Sequence, residues 1–191
     1  MLFKKSYKTL LDEELMAKVQ GGNDRALEEI YQRYSQPLLR YFFRMLWQDR
    51  DMAEDFLHDV FVRIAEKPER FDSSRTFSTW IYSVAHNLCK NEYRKQSFRQ
   101  AMKGPSPETR SDEQVSTTMD QRTFEASLEE ILKTEEEETR SIFVMRYELE
   151  MQATEIAEVL KCPDATIRTR LFNLRKRLAA KLEHYKVILE K

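Results

Sequence analysis

Chain-breaking residues occupy only five places in this sequence: Gly21-Gly22, Pro37, Pro68, the cluster Gly104-Pro105-Ser106-Pro107, and Pro163. Glycine and proline are the strongest local punctuators of a chain, so the long intervals between them are free to run as helix. Within those intervals apolar residues recur at helical spacing, and no alternating run long enough for a strand is present. The expected fold is therefore all-α. An apolar content of 41 % supports packed cores, while 34 % charged residues calls for the large exposed surface of small helical domains. The predicted organisation is two small helical domains, residues 1–96 and 122–191, joined by a flexible linker over 97–121.

In the first domain, Asp12 to Gln20 reads as a short helix stopped by Gly21-Gly22. Asn23 or Asp24 caps the next, with Ala26, Leu27, Ile30, Tyr31 and Tyr34 on its apolar face. Ser35 and Pro37 look like a cap and first-turn proline that restart or kink it. It then runs through Leu38, Leu39, Phe42, Phe43, Met45, Leu46 and Trp47, aromatic enough to be core on most sides. Asp49-Arg50-Asp51 opens a third helix to about Lys67, whose inner face is Ala53, Phe56, Leu57, Val60, Phe61 and Ile64. Its outer face, Glu54, Asp55, His58, Asp59 and Arg63, fits a solvated strip whose acids are favourably placed near a helix N-terminus.

Pro68 to Thr76 is a polar loop with Phe71 in its middle, and Phe77 to Gln96 is a fourth helix. Phe77, Ile81, Val84, Ala85 and Leu88 point inward; Asn87, Lys90, Asn91, Arg94 and Lys95 point outward, beside Trp80, Tyr82 and His86. A basic, amide-rich face next to aromatics suits unpaired bases, which stack and hydrogen-bond on such surfaces. Aromatics at helical spacing equally fit a core. From Ser97 to about Gln121 the chain is nearly devoid of apolar residues, as a linker should be.

The second domain opens on Phe124, Leu128, Ile131 and Leu132, then a run Glu135-Glu136-Glu137-Glu138 starts a helix ending near Tyr147, an acidic run that favours a helix N-terminus by itself. Ile142, Phe143, Met145 and Tyr147 supply core. Gln152 to Leu160 is a short amphipathic segment, Lys161-Cys162-Pro163 a turn, and Asp164 to Leu178 a helix capped by Asp164. On that last helix Ile167, Leu171, Leu174 and Leu178 form a buried stripe. Arg168, Arg170, Arg175, Lys176 and Arg177 project from the rest, with no acid between Asp164 and Glu183. With small Ala157 at the crossing and Pro163 in the turn, the pair reads as a helix-turn-helix rather than a plain hairpin.

The net charge is -1, whereas proteins that grip nucleic acid unaided are usually basic overall. A DNA-reading last helix on this chain therefore needs help. Cys89 and Cys162 form no disulfide framework and no CxxC pair, so neither a metal nor a cofactor is expected, and Cys162 reads as a small buried apolar side chain. No convergent catalytic set is evident, so no enzyme is expected. Met1 to Ser6 lacks the apolar core of a signal peptide and no stretch suits membrane insertion, so the expectation is a cytoplasmic protein.

Asp12-Glu13-Glu14-Leu15, Leu27 to Tyr34, Pro37 to Tyr41, Ala53-Glu54-Asp55, Val60-Phe61 and Phe77 to Ala85 with Asn87 together resemble the second conserved region of bacterial sigma factors. Glu155 to Glu158, Pro163 and Thr166 to Leu171 resemble their fourth. Two such regions joined by a linker are the layout of the extracytoplasmic-function (ECF) group of the sigma-70 family. His58, where the family often has Gln or Glu, and Lys161, Cys162 and Ala165, in a turn that commonly carries glycine, depart from the pattern.

The resemblance implies an alternative sigma factor that binds core RNA polymerase through Glu54, Asp55 and Asp59 and directs it to promoter DNA. It implies that Thr166, Arg168, Thr169, Arg170 and Phe172 meet base edges of a duplex upstream element, with Arg175 and Lys176 on phosphates. Phe71, Trp80, Asn87, Lys90 and Arg94 would hold the melted downstream element. An anti-sigma partner is implied as well. The rival expectation is a dimeric helix-turn-helix regulator that binds a symmetric site without polymerase.

Overall fold

The computed structural model describes residues 6–103 and 121–182. Eight α-helices carry the described chain: α1 Asp12–Gln20, α2 Asp24–Met45, α3 Arg50–Glu66, α4 Phe77–Lys103, α5 Gln121–Lys133, α6 Glu137–Phe143, α7 Ala153–Leu160 and α8 Asp164–Lys181. No strand occurs among the described residues. The predicted linker loses its first residues, because α4 continues to Lys103; its remainder over 104–120, like residues 183–191, lies outside the described residues.

Helix α2 is the centre of the first domain. Asn23 caps it, its Oδ1 accepting from the Ala26 N–H at 3.1 Å, which satisfies one of the amides that a helix start leaves unpaired. The helix passes through Pro37 without ending. A proline inside a helix costs about 3 kcal/mol, and the offset is burial: Tyr34, Leu38, Tyr41, Phe42 and Met45 around it are all buried. Edge-to-face ring pairs, Tyr34 with Phe77 at 5.2 Å and Phe42 with Phe56 at 5.7 Å, tie α2 to α4 and α3. Asp49 caps α3 through the Met52 N–H at 2.9 Å.

In the second domain α6 runs into a π-helical turn, Val144–Glu148, and α7 and α8 form the helix-turn-helix around Ile156, Ile167, Leu171 and Leu174. The tight turn is closed by Lys161 at φ 54°, ψ 46°. This left-handed position is one where glycine is unstrained and other residues cost about 1 kcal/mol or more. The Cys162 N–H reaches back to the Ala157 carbonyl at 3.1 Å, a helix-ending bond of the Schellman kind. Asp164 does not cap α8. Pro163 occupies the cap position, and the Asp164 carboxylate, one residue inside, pairs with Arg168 at 2.7 Å. Cys162 packs against the core while staying half-buried.

The two domains are packed together. α7 lies along α4, and α6 with the following turn reaches α2. At the centre of the seam Ser141 is fully buried, with its Oγ 3.0 Å from the Tyr41 hydroxyl and 3.3 Å from His86 Nδ1. Around it Arg44 pairs with Glu129 and with Glu148 at 3.0 Å, and Arg75 grips Glu158 at 2.7 Å.

Candidate nucleic-acid interface

The face of α8 opposite its buried stripe stands in solvent: Arg168, Thr169, Phe172, Arg175 and Lys176 are exposed, and Thr166 and Arg170 partly so. Phe172 is 61 % exposed, which is costly for an aromatic unless a partner covers it. Arg168 and Arg175 share an open groove of about 420 Å³ with Arg146, Tyr147 and the α7 residues Ala153 and Thr154. The groove joins cations to the start of α7, where backbone N–H groups favour an anion. Thr169 donates its hydroxyl to the Ala165 carbonyl at 2.9 Å, which fixes its rotamer and leaves the oxygen as an acceptor. Arg170 is not open in the same sense, since it pairs with Glu138.

On α4 the predicted residues divide. Asn87 and Arg94 are exposed, Lys90 and Trp80 half-buried. Phe71 is only 2 % exposed, its ring centroid 5.3 Å from those of both Phe77 and Trp80. The expectation that Phe71 holds a base is corrected on this geometry: it is a core residue that supports Trp80 from beneath. The loop that carries it is anchored by Gln20, whose amide donates to the Pro68 and Phe71 carbonyls at 3.1 and 3.0 Å. Tyr82 and His86, expected beside the strand-holding face, are buried too.

Burial under the second domain explains His86. Desolvation, with the Lys90 charge adding to it, holds its imidazole down at about 4, so the ring is neutral at neutral pH. Burial also pushes the Cys89 thiol well up, which keeps it protonated and unreactive. On α3, Glu54, Asp55 and Asp59 are all exposed on one face with His58; Glu54 pairs within the helix with Arg50 at 2.9 Å. Sequence reasoning missed the seam residues Tyr41, Arg44, Arg75, Glu129, Ser141, Glu148 and Glu158. Ser141, polar beside the apolar run Ile142 to Met145, was the one local sign of it.

A helix-turn-helix that presents cations, a second helix face carrying Asn87, Lys90 and Arg94, and an acidic strip on α3 suit a helical DNA-binding protein that works with a partner. The Sigma-70 region 2 model matches residues 30–99, and the Sigma-70, region 4 model matches residues 127–178. The chain is 28 % identical to the ECF RNA polymerase sigma factor SigW of Bacillus subtilis over 176 residues, spanning 86 % of this chain and 93 % of that one. It is 26 % identical to the ECF RNA polymerase sigma-E factor of Haemophilus influenzae, over 91 % and 96 % of the two chains. In fold it is similar to CnrH in its complex with the cytosolic domain of CnrY, at a TM-score of 0.69 and 23 % identity over 91 % of this chain and 97 % of that one. It is similar also to the sigma factor RpoE of Bartonella quintana bound to the anti-sigma factor NepR, at a TM-score of 0.62 and 21 % identity over 82 % and 98 %. The chain belongs to the sigma-70 family, in its extracytoplasmic-function group. No helix among the described residues is long and apolar enough to cross a membrane.

Proposed function

We propose that this sigma factor directs core RNA polymerase to its promoters through three separate surfaces. The exposed carboxylates Glu54, Asp55 and Asp59 of α3 dock on a basic part of the polymerase. The α8 face enters the major groove of the upstream element: Thr166, Arg168, Thr169, Arg170 and Phe172 meet base edges, and Arg175 and Lys176 meet phosphates. Trp80, Asn87, Lys90 and Arg94 on α4 hold the melted strand of the downstream element, where stacking and charge offset an unpairing cost of about a few kcal/mol per step. The chain acts by binding; it makes and breaks no bond. We assign the polymerase and downstream-element role to a domain of residues 1–96 and the upstream-element role to residues 122–191.

The observation that carries this reading is the separation of charge on a chain of net charge -1. Exposed cations crowd α8 while exposed acids line α3. DNA affinity rises with the number of phosphates neutralised, so a near-neutral chain holds DNA weakly until a partner shares the contact. The anti-sigma complex formed by the structurally similar RpoE supports a comparable negative regulator for this chain, a partner that masks the same faces.

The test is capture by core polymerase together with promoter-directed transcription. The double variant Asp55→Lys, Asp59→Lys should keep its thermal unfolding and lose about tenfold in polymerase affinity, since reversed charges meet a like-charged surface. Unchanged capture would remove α3 from the docking role.

A further inference from the structure

Helix α1 lies before the span that the Sigma-70 region 2 model matches, residues 30–99, and none of its side chains belongs to either promoter-reading face. Two of them nevertheless hold the loop that leads into α4, one at each end. Gln20 donates its amide to the Pro68 and Phe71 carbonyls. Seven residues earlier, and so on the same side of α1, Glu13 accepts from the Phe77 N–H at 2.8 Å through its Oε1. That amide belongs to the first turn of α4, where a helix leaves its N–H groups without partners of their own. Between the two anchors Asp72, Ser73 and Ser74 stand in solvent. This tip is closed on itself, the Ser74 N–H donating to the Asp72 carboxylate at 2.9 Å and the Arg75 N–H to the Asp72 carbonyl at 3.0 Å.

The residues whose backbone α1 holds, Phe71 and Phe77, both carry rings that pack against Trp80. Their centroids lie 5.3 and 5.7 Å from that of Trp80 and 5.3 Å from each other. Both rings are buried, while Trp80 is half-buried. Burial of apolar area is non-directional, whereas hydrogen bonds to the backbone at both ends of the loop fix where each ring sits. We propose that Glu13 and Gln20 are positioning residues for the melted strand: from α1 they set Phe71 and Phe77, and through these rings the orientation in which Trp80 meets an unpaired base. This rests on the assignment of Trp80 to the downstream element. A stacking platform ordered before the strand arrives spares binding the cost of ordering it.

The experiment uses the full chain assembled with core RNA polymerase and measures its affinity for a fork probe, in which the upstream element is duplex and the melted strand of the downstream element is left unpaired. Gln20→Glu keeps the side-chain shape and removes the donor. Glu13→Ala removes the acceptor, and Glu13→Gln supplies one again as an amide oxygen. Each variant is measured with Trp80 in place and in a Trp80→Ala background, which isolates the part of its effect that passes through the ring.

Trp80→Ala alone should weaken the fork complex about tenfold. With Trp80 present, Gln20→Glu and Glu13→Ala should each weaken it about fivefold, and Glu13→Gln should restore what Glu13→Ala loses. In the Trp80→Ala background the same variants should shift the affinity by less than about twofold. An equal loss with and without Trp80 overturns the proposal, because α1 would then support the fold and not the ring. Full affinity of Gln20→Glu with Trp80 present overturns it as well, and Gln20→Glu carries both tests alone if Glu13→Ala does not fold. A fork affinity untouched by Trp80→Ala would remove the ring from the strand, and the positioning role would fall with it.

Discussion

The core of the first domain and the centre of the seam between the domains are both buried, but the seam sets a larger share of polar groups among its apolar ones. In the core, Tyr41, Phe42, Phe77, Leu38, Ile64 and Ile81 are almost wholly excluded from water, and rings meet edge-to-face at 5 to 6 Å. At the seam apolar packing of α7 on α4 is joined by polar contacts, Ser141 with Tyr41 and His86, Arg44 with two glutamates, and Arg75 with Glu158. Apolar burial has no competitor in water, whereas each polar contact at the seam exchanges for solvent with a net gain of only about 0.5–1.5 kcal/mol. The core is therefore the firmer of the two, and the expectation is that binding opens the seam before it disturbs the core, which would leave a platform for strand and polymerase and a second reader that can move.

The largest expected effect breaks the core alone. Phe77→Ala removes a fully buried ring that touches Tyr34, Phe71 and Trp80 and should cost the first domain about 3–5 kcal/mol. Urea unfolding followed by backbone amide signals should show α2 to α4 lost first, with α7 and α8 retained. A single transition for both would make the seam part of one core. Ser141→Val acts on the seam. It leaves the Tyr41 hydroxyl and His86 Nδ1 with only their own long contact of 3.5 Å, at a cost of about 1–3 kcal/mol, and should part the domains while leaving the helical content unchanged.

The same variant moves a titration. His86 sits at about 4 in the closed chain, and in the parted chain it should climb toward the ordinary histidine value near 6.5. The open chain therefore binds the proton more readily. Closure held by the neutral ring is complete above pH 6.5 and weakens as the pH falls toward 4. Glu137, whose carboxyl burial holds above its ordinary value, pulls the other way, so the Glu137→Gln background isolates the histidine. Imidazole chemical shifts followed against pH give the answer directly. An unmoved His86 would show that its burial does not come from the second domain.

Arg168→Ala tests the exposed reader. Loss of a bidentate base contact should reduce discrimination at the upstream element by about 1–3 kcal/mol, seen as transcription that no longer responds when that element is randomised. The smallest effect is a gain. Lys161→Gly relieves the left-handed residue at φ 54° and should stabilise the second domain by about 1 kcal/mol, read from its thermal midpoint.

Helix spans and inner faces were legible because periodicity and capping are local. Asn23, one of two candidates, caps α2, Asp49 caps the helix that Asp49-Arg50-Asp51 was expected to open, and Ile167, Leu171 and Leu174 are buried together. Pro37 reads locally as a restart or kink, and tertiary burial carries the helix through it. Asp164 lost its cap because Pro163 sets the entry one residue earlier. The exposed cations of α8 were legible from an acid-free basic stretch. Phe71 was not, because nothing local distinguishes an aromatic that closes a core from one offered to a base. The seam was legible least, since it joins Tyr41, His86 and Ser141 across 45 and 55 positions of the chain, a pairing that no window of sequence contains.

The most direct test of the central claim is a gel shift on a promoter fragment carrying both elements, with and without core RNA polymerase. A sequence-specific complex should form only when polymerase is present, with the chain alone giving weak, salt-sensitive binding indifferent to sequence. Tight and specific binding by the chain alone to a symmetric site would contradict it.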